Sequence, residues 1–145
     1  MTDTNIVRLD QQLCFRLYAS SRAIVKAYQP MLGELGLTYP QYLVMLALWE
    51  TDGVMIRNLV ERTRFDAGTL TPMLKRLADK SLLEVKKGGD DGRQKFVFLT
   101  EGGLALRHQA NAVPGQLACQ IGLTVEDAVM LKRLSEKLYG ELLND

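Results

Sequence analysis

The stretch "TLTPMLKRL", residues 69–77, decides the fold. Leu70, Met73, Leu74 and Leu77, with Ala78 just beyond, fall at i, i+3, i+4, i+7 and i+8. That spacing gathers apolar side chains on one face of an α-helix. The opposite face then carries Thr69, Thr71, Lys75 and Arg76. Pro72 has no N–H, so it is expected in or very near the first turn, where that donor is unpaired anyway. This puts the helix start at residues 67–69, with Asp66 or Thr69 as cap. A polar, basic face of this size fits the major groove of B-DNA. Hydroxyls and Arg reach base edges there, and Lys reaches phosphates. Alone, such a face is most often only solvated surface. Its neighbours in the chain decide.

Upstream, Ile56, Leu59, Val60 and Thr63 mark one face of another short helix, and "RFDAG" (residues 64–68) is the turn between the two. Downstream, residues 83–87 read as a strand, "GGDDG" (88–92) as a turn, and "RQKFVFLT" (93–100) as a second strand. Phe96 and Phe98 lie on one face of it, Val97 and Leu99 on the other. Helix, tight turn, helix and hairpin is the order of a winged helix-turn-helix. The hairpin tip "KKGGDDGR" (86–93) offers Lys86, Lys87 and Arg93 on a glycine-rich loop, and an Arg there can enter a minor groove.

Working outward, "TYPQYLVMLALWE" (38–50) is a helix capped by Thr38, with Pro40 in its first turn and Gly53 stopping it. Its body is apolar nearly all round, so it should be the most buried helix. Leu9, Leu13, Leu17, Ile24 and Tyr28 mark a first helix over residues 9–32, ended by Gly33 and Gly36. Thr100 starts a further helix that Pro114 kinks or breaks. "TVED" (124–127) resembles a capping box, and the last helix carries Leu131, Leu134, Leu138 and Leu142. The fold class expected is mainly α with a small β-hairpin wing.

The 145 residues make one domain by length, and a chain of this size buries roughly 68–70% of its unfolded surface without staples. Its apolar content of 47% and charged content of 24% are those of an ordinary globular protein. "MTDTNIVRLDQQ" has no apolar core of the signal-peptide kind. The longest apolar run, "YLVMLALW", is eight residues, short of the ~18 of a membrane span. The expectation is a cytoplasmic protein, with no membrane partner and with its two cysteines as thiols. Net charge is +1, but residues 55–95 hold ten Lys/Arg against six Asp/Glu, and the remainder holds eight against eleven. A basic middle between acidic arms fits a nucleic-acid-binding face. It fits an ordinary solvated surface equally well.

"LCFRLYASSR", residues 13–22, holds Cys14; the other cysteine, Cys119, is 105 positions on. On the residues alone the favoured reading of Cys14 is a buried apolar side chain, because free Cys is among the most buried types. Three features push the other way. Cys14 lies in the first turns of its helix, where the positive end of the dipole favours thiolate. Arg16 is near in sequence, and Tyr18, four residues on, shares its face. An enzyme such as a thiol peroxidase is disfavoured: His108 sits alone in an ordinary helical stretch, and no C-x-x-C, phosphate loop or metal cluster is present. No catalytic residue, cofactor or metal is expected.

"TLTPMLKRL" followed by "DDGR" closely resembles the MarR family of winged-helix repressors. "LCFRLYASSR" and "LTYPQYLVMLALWE" are similar to its organic-hydroperoxide-sensing branch, the OhrR repressors. The resemblance implies a homodimer held by helices in residues 9–33 and 101–143, around a DNA-binding lobe in residues 38–99. The stripe of Leu131, Leu134 and Leu138 supports the dimer independently. A symmetric dimer sets two reading helices ~34 Å apart on a pseudo-palindromic operator. The resemblance also implies that Arg93 contacts the minor groove and Asp91 steadies it. Cys14 matches the peroxide-sensing cysteine. Tyr28 and Tyr39 match tyrosines that hydrogen-bond its sulfur across the dimer; Tyr18 is a further candidate to support the thiolate, from its spacing on the face of Cys14. Cys119 matches the second cysteine of the two-cysteine subgroup, which resolves the oxidised Cys14 of the other subunit. The function implied is a repressor that releases its operator when an organic hydroperoxide oxidises Cys14. The rival is a MarR-type repressor released without redox chemistry by a small phenolic or lipophilic ligand. Tyr18, Tyr28, Tyr39 and Tyr42 would then line a pocket between the helical arm and the winged lobe.

Overall fold

The computed structural model describes residues 7–90 and 92–143. They fall into two compact units that divide at Val113 and Pro114. In the first, a 3-10 turn (Leu9–Gln11) leads into α1 (Leu13–Leu35), followed by α2 (Tyr39–Glu50), β1 (Val54–Met55), α3 (Ile56–Thr63), α4 (Ala67–Asp79), β2 (Leu83–Gly88), β3 (Gln94–Leu99) and α5 (Glu101–Ala110).

α1 runs through Gly33 instead of stopping there, and its true end is Gly36, in the left-handed region at φ 70°. Leu37 N–H returns to the Leu32 carbonyl at 3.0 Å, closing the six-residue loop that satisfies a terminal carbonyl. α2 opens as its sequence requires. The Thr38 hydroxyl accepts from Gln41 N–H at 3.3 Å, and the Gln41 side chain accepts from Thr38 N–H at 3.1 Å. Tyr42, Val44, Met45, Ala47, Leu48 and Trp49 are all buried, so α2 is the central helix.

α4 starts at Ala67, capped by Asp66, whose Oδ1 accepts from Thr69 N–H at 2.7 Å. Pro72 therefore lies in the second turn, not the first. The bond it forgoes is the one to the Gly68 carbonyl, and Gly68 is exposed, so water can take that carbonyl instead. Leu70, Met73, Leu74 and Leu77 are buried.

The sheet has three antiparallel strands in the order β1-β3-β2, one more than the hairpin read from sequence. Two-residue β1 is too short to show any alternation. Val97 at the centre is fully buried and faces Val54 on one side and Val85 on the other. β2 runs one residue past the expected strand, to Gly88, and keeps Lys86 and Lys87 in the ladder beside the turn. Asp52 anchors the sheet to the end of α2: its Oδ1 accepts from Gly53 N–H and Leu99 N–H, each at 2.8 Å.

α5 is capped by Thr100, whose hydroxyl accepts from Gly103 N–H at 3.1 Å. Of the described glycines, Gly103 also has the tightest surroundings. A Cβ there would stand 2.1 Å from the Leu82 carbonyl oxygen. Its own carbonyl accepts from Trp49 Nε1–H at 2.9 Å.

α5 ends at Ala110 and α6 (Val113–Ile121) begins anew with Pro114 in its first turn, where the missing N–H costs little. The second unit holds most of α6 and all of α7 (Val125–Leu143). Thr124 caps α7, accepting from Asp127 N–H at 3.0 Å. No described residue of α7 is buried, although Val125, Val129, Leu131, Leu134 and Leu142 are apolar. Among the described residues no helix is long and apolar enough to cross a membrane.

Gly103→Ala is expected to destabilise the fold by roughly 1–3 kcal/mol or more, since backbone must move to admit the methyl. Urea unfolding checks this, as a lowered midpoint with an unchanged m-value.

Candidate functional site

The apolar stripe of α4 points inward, so Thr69, Thr71, Lys75 and Arg76 are all exposed on its other side. Their chemistry is not equal. Hydrogen bonds from Thr69, backbone first and side chain second, hold the Asp66 carboxyl below the usual range, so the Thr69 hydroxyl is partly spent on the cap. The Thr71 hydroxyl donates to the Ala67 carbonyl at 2.8 Å, leaving only its lone pairs for a ligand. Lys75 and Arg76 carry the charge of the face.

In the wing, Lys86 is held by Glu84 at 3.3 Å, with its ammonium 5.6 Å from the Phe98 ring centroid. It is therefore partly neutralised. Lys87 is exposed and faces Lys95 across the ladder. Arg93 is exposed at the foot of the turn, next to Gly92 at φ 68°. Asp91 lies outside the described residues.

Cys14 is the second residue of α1 and is exposed. The apolar-core reading fails for this chain because the first turns of α1 have nothing packed over them in the unit they belong to: Leu9, Leu13 and Phe15 are exposed as well. Arg16 turns its guanidinium back to the Gln12 carbonyl, at 3.3 Å. Tyr18 is exposed, and the Arg22 guanidinium lies 5.6 Å from its ring centroid. Cys119, in α6, is also exposed.

The other tyrosines gather where α1 meets α2. Ring centroids of Tyr28 and Tyr39 are 4.8 Å apart, Tyr28 and Tyr42 5.7 Å, and Tyr39 and Tyr42 6.4 Å. Trp49 stands edge-on to Tyr42 at 6.5 Å. Burial first, then the neighbouring phenols Tyr39 and Tyr42, push the Tyr28 hydroxyl up to about 12. Burial raises Tyr39 and Tyr42 too. These phenols thus stay protonated and keep a proton to donate.

Tyr28 is fourteen positions from Cys14 on one continuous helix. At a rise of 1.5 Å per residue that is about 21 Å. One chain cannot bring this tyrosine to its own sulfur. Tyr18 is likewise about 15 Å along the axis from Tyr28, so the pocket of four tyrosines is not assembled; three cluster and Tyr18 stands apart. Sequence reading also passed over Arg62. It donates to the Ala47 carbonyl at 2.8 Å and to the Glu50 carboxylate, locking α3 to the end of α2. Nothing local in the sequence signals a bond spanning fifteen positions.

A helix-turn-helix with an exposed polar second helix and a hairpin wing defines a winged-helix transcriptional regulator. Residues 26–109 match the family model described as transcriptional regulator SarA/Rot. The chain is 42% identical to the organic hydroperoxide resistance transcriptional regulator of Bacillus subtilis (strain 168), over 92% of this chain and 88% of that protein. It is similar to AbfR, a protein of Staphylococcus epidermidis, in three solved states. Reduced and DNA-bound AbfR gives 32% identity and a TM-score of 0.78, covering 93% of this chain and 92% of that one. Overoxidised and DNA-bound AbfR gives 32% and 0.75, covering 93% and 95%. Disulfide-formed AbfR gives 31% and 0.68, covering 93% of each. The chain belongs to the MarR family of winged-helix regulators, in the branch of the organic hydroperoxide resistance regulators.

The raised tyrosines set an alkaline limit. Unfolded phenols ionise near pH 10, so the stability held in their neutral form is whole below that pH and is lost as pH climbs towards about 12. Unfolding free energy measured across that window is expected to fall less steeply in Tyr28→Phe than in the parent protein.

Proposed function

We propose that this chain is an operator-binding repressor that senses organic hydroperoxides through Cys14 and works as a homodimer. One observation carries the reading: Cys14 is exposed at the start of α1, about 21 Å of helix away from the Tyr28 cluster of its own chain. A second copy supplies what one lacks, with the partner's tyrosines donating to the sulfur. The exposed apolar side chains of α7, and of Leu9, Leu13 and Phe15, support a face that another copy covers.

DNA is read by α4 in the major groove, with Arg76 and the threonine oxygens toward base edges and Lys75 toward phosphate. Arg93 enters the neighbouring minor groove, steadied by Asp91, and Lys86 and Lys87 add phosphate contacts.

In the chemical step the Cys14 thiolate attacks one peroxide oxygen. The O–O bond breaks, the alkoxide takes a proton and leaves as alcohol, and the sulfur becomes sulfenic acid. The thiolate of Cys119 in the other subunit then displaces the sulfenic oxygen, which leaves as water, and a disulfide forms. A disulfide needs Cα atoms within about 7 Å, so closing it selects one dimer geometry. α1 packs on α2, within the reading lobe, so a shift of α1 is passed to the heads. AbfR has been solved on DNA both reduced and overoxidised, and also in a disulfide-formed state. This supports the bridge, not polarity added at sulfur, as the releasing state.

Cys14→Ser is expected to bind operator as tightly as the parent and to stay bound under cumene hydroperoxide in a mobility-shift assay; a variant that still lets go ends the sensing role. Cys119→Ser is expected to form sulfenic acid, scored with a dimedone probe, yet to give no covalent dimer on a nonreducing gel. Leu134→Glu is expected to sediment as a monomer and to lose operator affinity by about 100-fold or more, since two linked heads gain that much over one.

A further inference from the structure

The wing carries a charge arrangement that the fold does not need. Lys87 lies directly opposite Lys95 in the β2–β3 register. Directly opposed residues of an antiparallel pair share a face and stand roughly 5 Å apart at Cβ, so like charges there destabilise the hairpin. On the other side of β3, β1 pairs Val54 with Val97 and Met55 with Phe96. The chain then turns straight into α3, which brings Ile56 and Arg57 alongside Lys95 and Gln94. An open groove of about 160 Å³ lies there, lined by Met55, Ile56, Arg57, Gln94 and Lys95. Arg57, Lys87 and Lys95 are all exposed. Among the described residues no carboxylate pairs with any of the three, whereas adjacent Lys86 has Glu84. An acid at position 87 or 95 would have relieved the repulsion; two lysines raise it.

We propose that this groove seats a backbone phosphate of duplex DNA, with Arg57 and Lys95 as its donors and Lys87 beside them. The inference rests on the DNA-binding reading above and adds a third contact region to α4 and the wing tip. The sugar-phosphate strand that divides a major groove from the adjoining minor groove must pass between the elements that enter them. α3 packs on α4 on one side and on β1 and β3 on the other, and the groove opens at its first turn. It therefore lies between the reading helix and the wing. Arg57 offers a planar fork suited to phosphate oxygens, and the lysines offer mobile point charges. Such a seat carries no base preference; it sets how the lobe is pitched on the duplex.

The test uses full-length dimer and two labelled duplexes, one selected from a random library by the parent protein and one of random sequence. Affinities are measured from low to moderate salt. Arg57→Ala and Lys95→Ala are each expected to lower the slope of log K against log salt by about one, and to weaken both duplexes by the same factor. Arg57→Lys is expected to keep most of the slope. Arg107→Ala, which removes one exposed cation from α5, is expected to match the parent. Lys95→Gln is expected to raise the thermal midpoint while weakening DNA, a pairing that misfolding cannot produce. Parental slopes in Arg57→Ala and Lys95→Ala overturn the inference, and so does a loss confined to the selected duplex. If the parent itself binds neither duplex, the DNA-binding reading has failed, and that outcome is separate from failure of the phosphate seat.

Discussion

The rotation of α4 about its own axis is the constraint on which the reading lobe depends. Leu70, Met73, Leu74 and Leu77 are buried, and at about 1.5–3 kcal/mol each they contribute on the order of 6–12 kcal/mol, as much as the whole net stability of a typical domain. Turning the helix by one residue would expose part of that stripe. The burial therefore holds Lys75 and Arg76 outward without a single polar bond of their own. The Asp66 cap sets where the helix begins, and it draws on the Thr69 hydroxyl to do so. The cap and the helix backbone thus draw on the Thr69 and Thr71 hydroxyls, which leaves the two cations as the freest groups on the face.

α2 acts as the strut to which the rest of the lobe is tied. Trp49 donates to Gly103 of α5, Arg62 of α3 donates to the Ala47 carbonyl, and Asp52 holds both the chain after α2 and the end of β3. At the other end Lys80, just past α4, reaches the Gly36 carbonyl and Gln41. Apart from the Asp52–Gly53 bond, each joins elements distant in sequence; Trp49, Arg62 and Lys80 donate, whereas Asp52 accepts from backbone amides. Tyr39 and Tyr42 are on the same strut. Whatever displaces the tyrosine cluster thus pushes on a helix whose far end anchors the wing.

The thiol site is built on an opposite principle. Cys14 and the tyrosine cluster share α1, and the rigidity of that helix is what keeps them apart. The proposed sensor, whose pieces one chain holds at a fixed distance, is complete only between chains. On that proposal its redox state is coupled to dimer geometry by construction. The exposed apolar side chains of α7 are the second feature the proposed dimer uses, since covering them would release the free energy of their burial.

Periodicity alone specified a great deal. The spacing of Leu70 to Ala78, the alternation through Phe96 to Leu99, the cap at Thr38 and an interruption of the helix near Pro114 were all legible, because helices and strands repeat and a local pattern predicts a local face. Family likeness added Cys14 and its tyrosines as a set. Tertiary structure alone decided the rest. It added β1, because pairing two residues with a distant strand leaves no period to read. It carried β2 one residue further, to Gly88, and set Lys87 opposite Lys95, because register depends on the partner strand, while Lys86 found Glu84 on its own strand. It placed Cys14 in the open, and it separated Tyr18 from the other three tyrosines. Burial and distance are properties of what packs against a residue, and that partner is named nowhere in the residue's own neighbourhood.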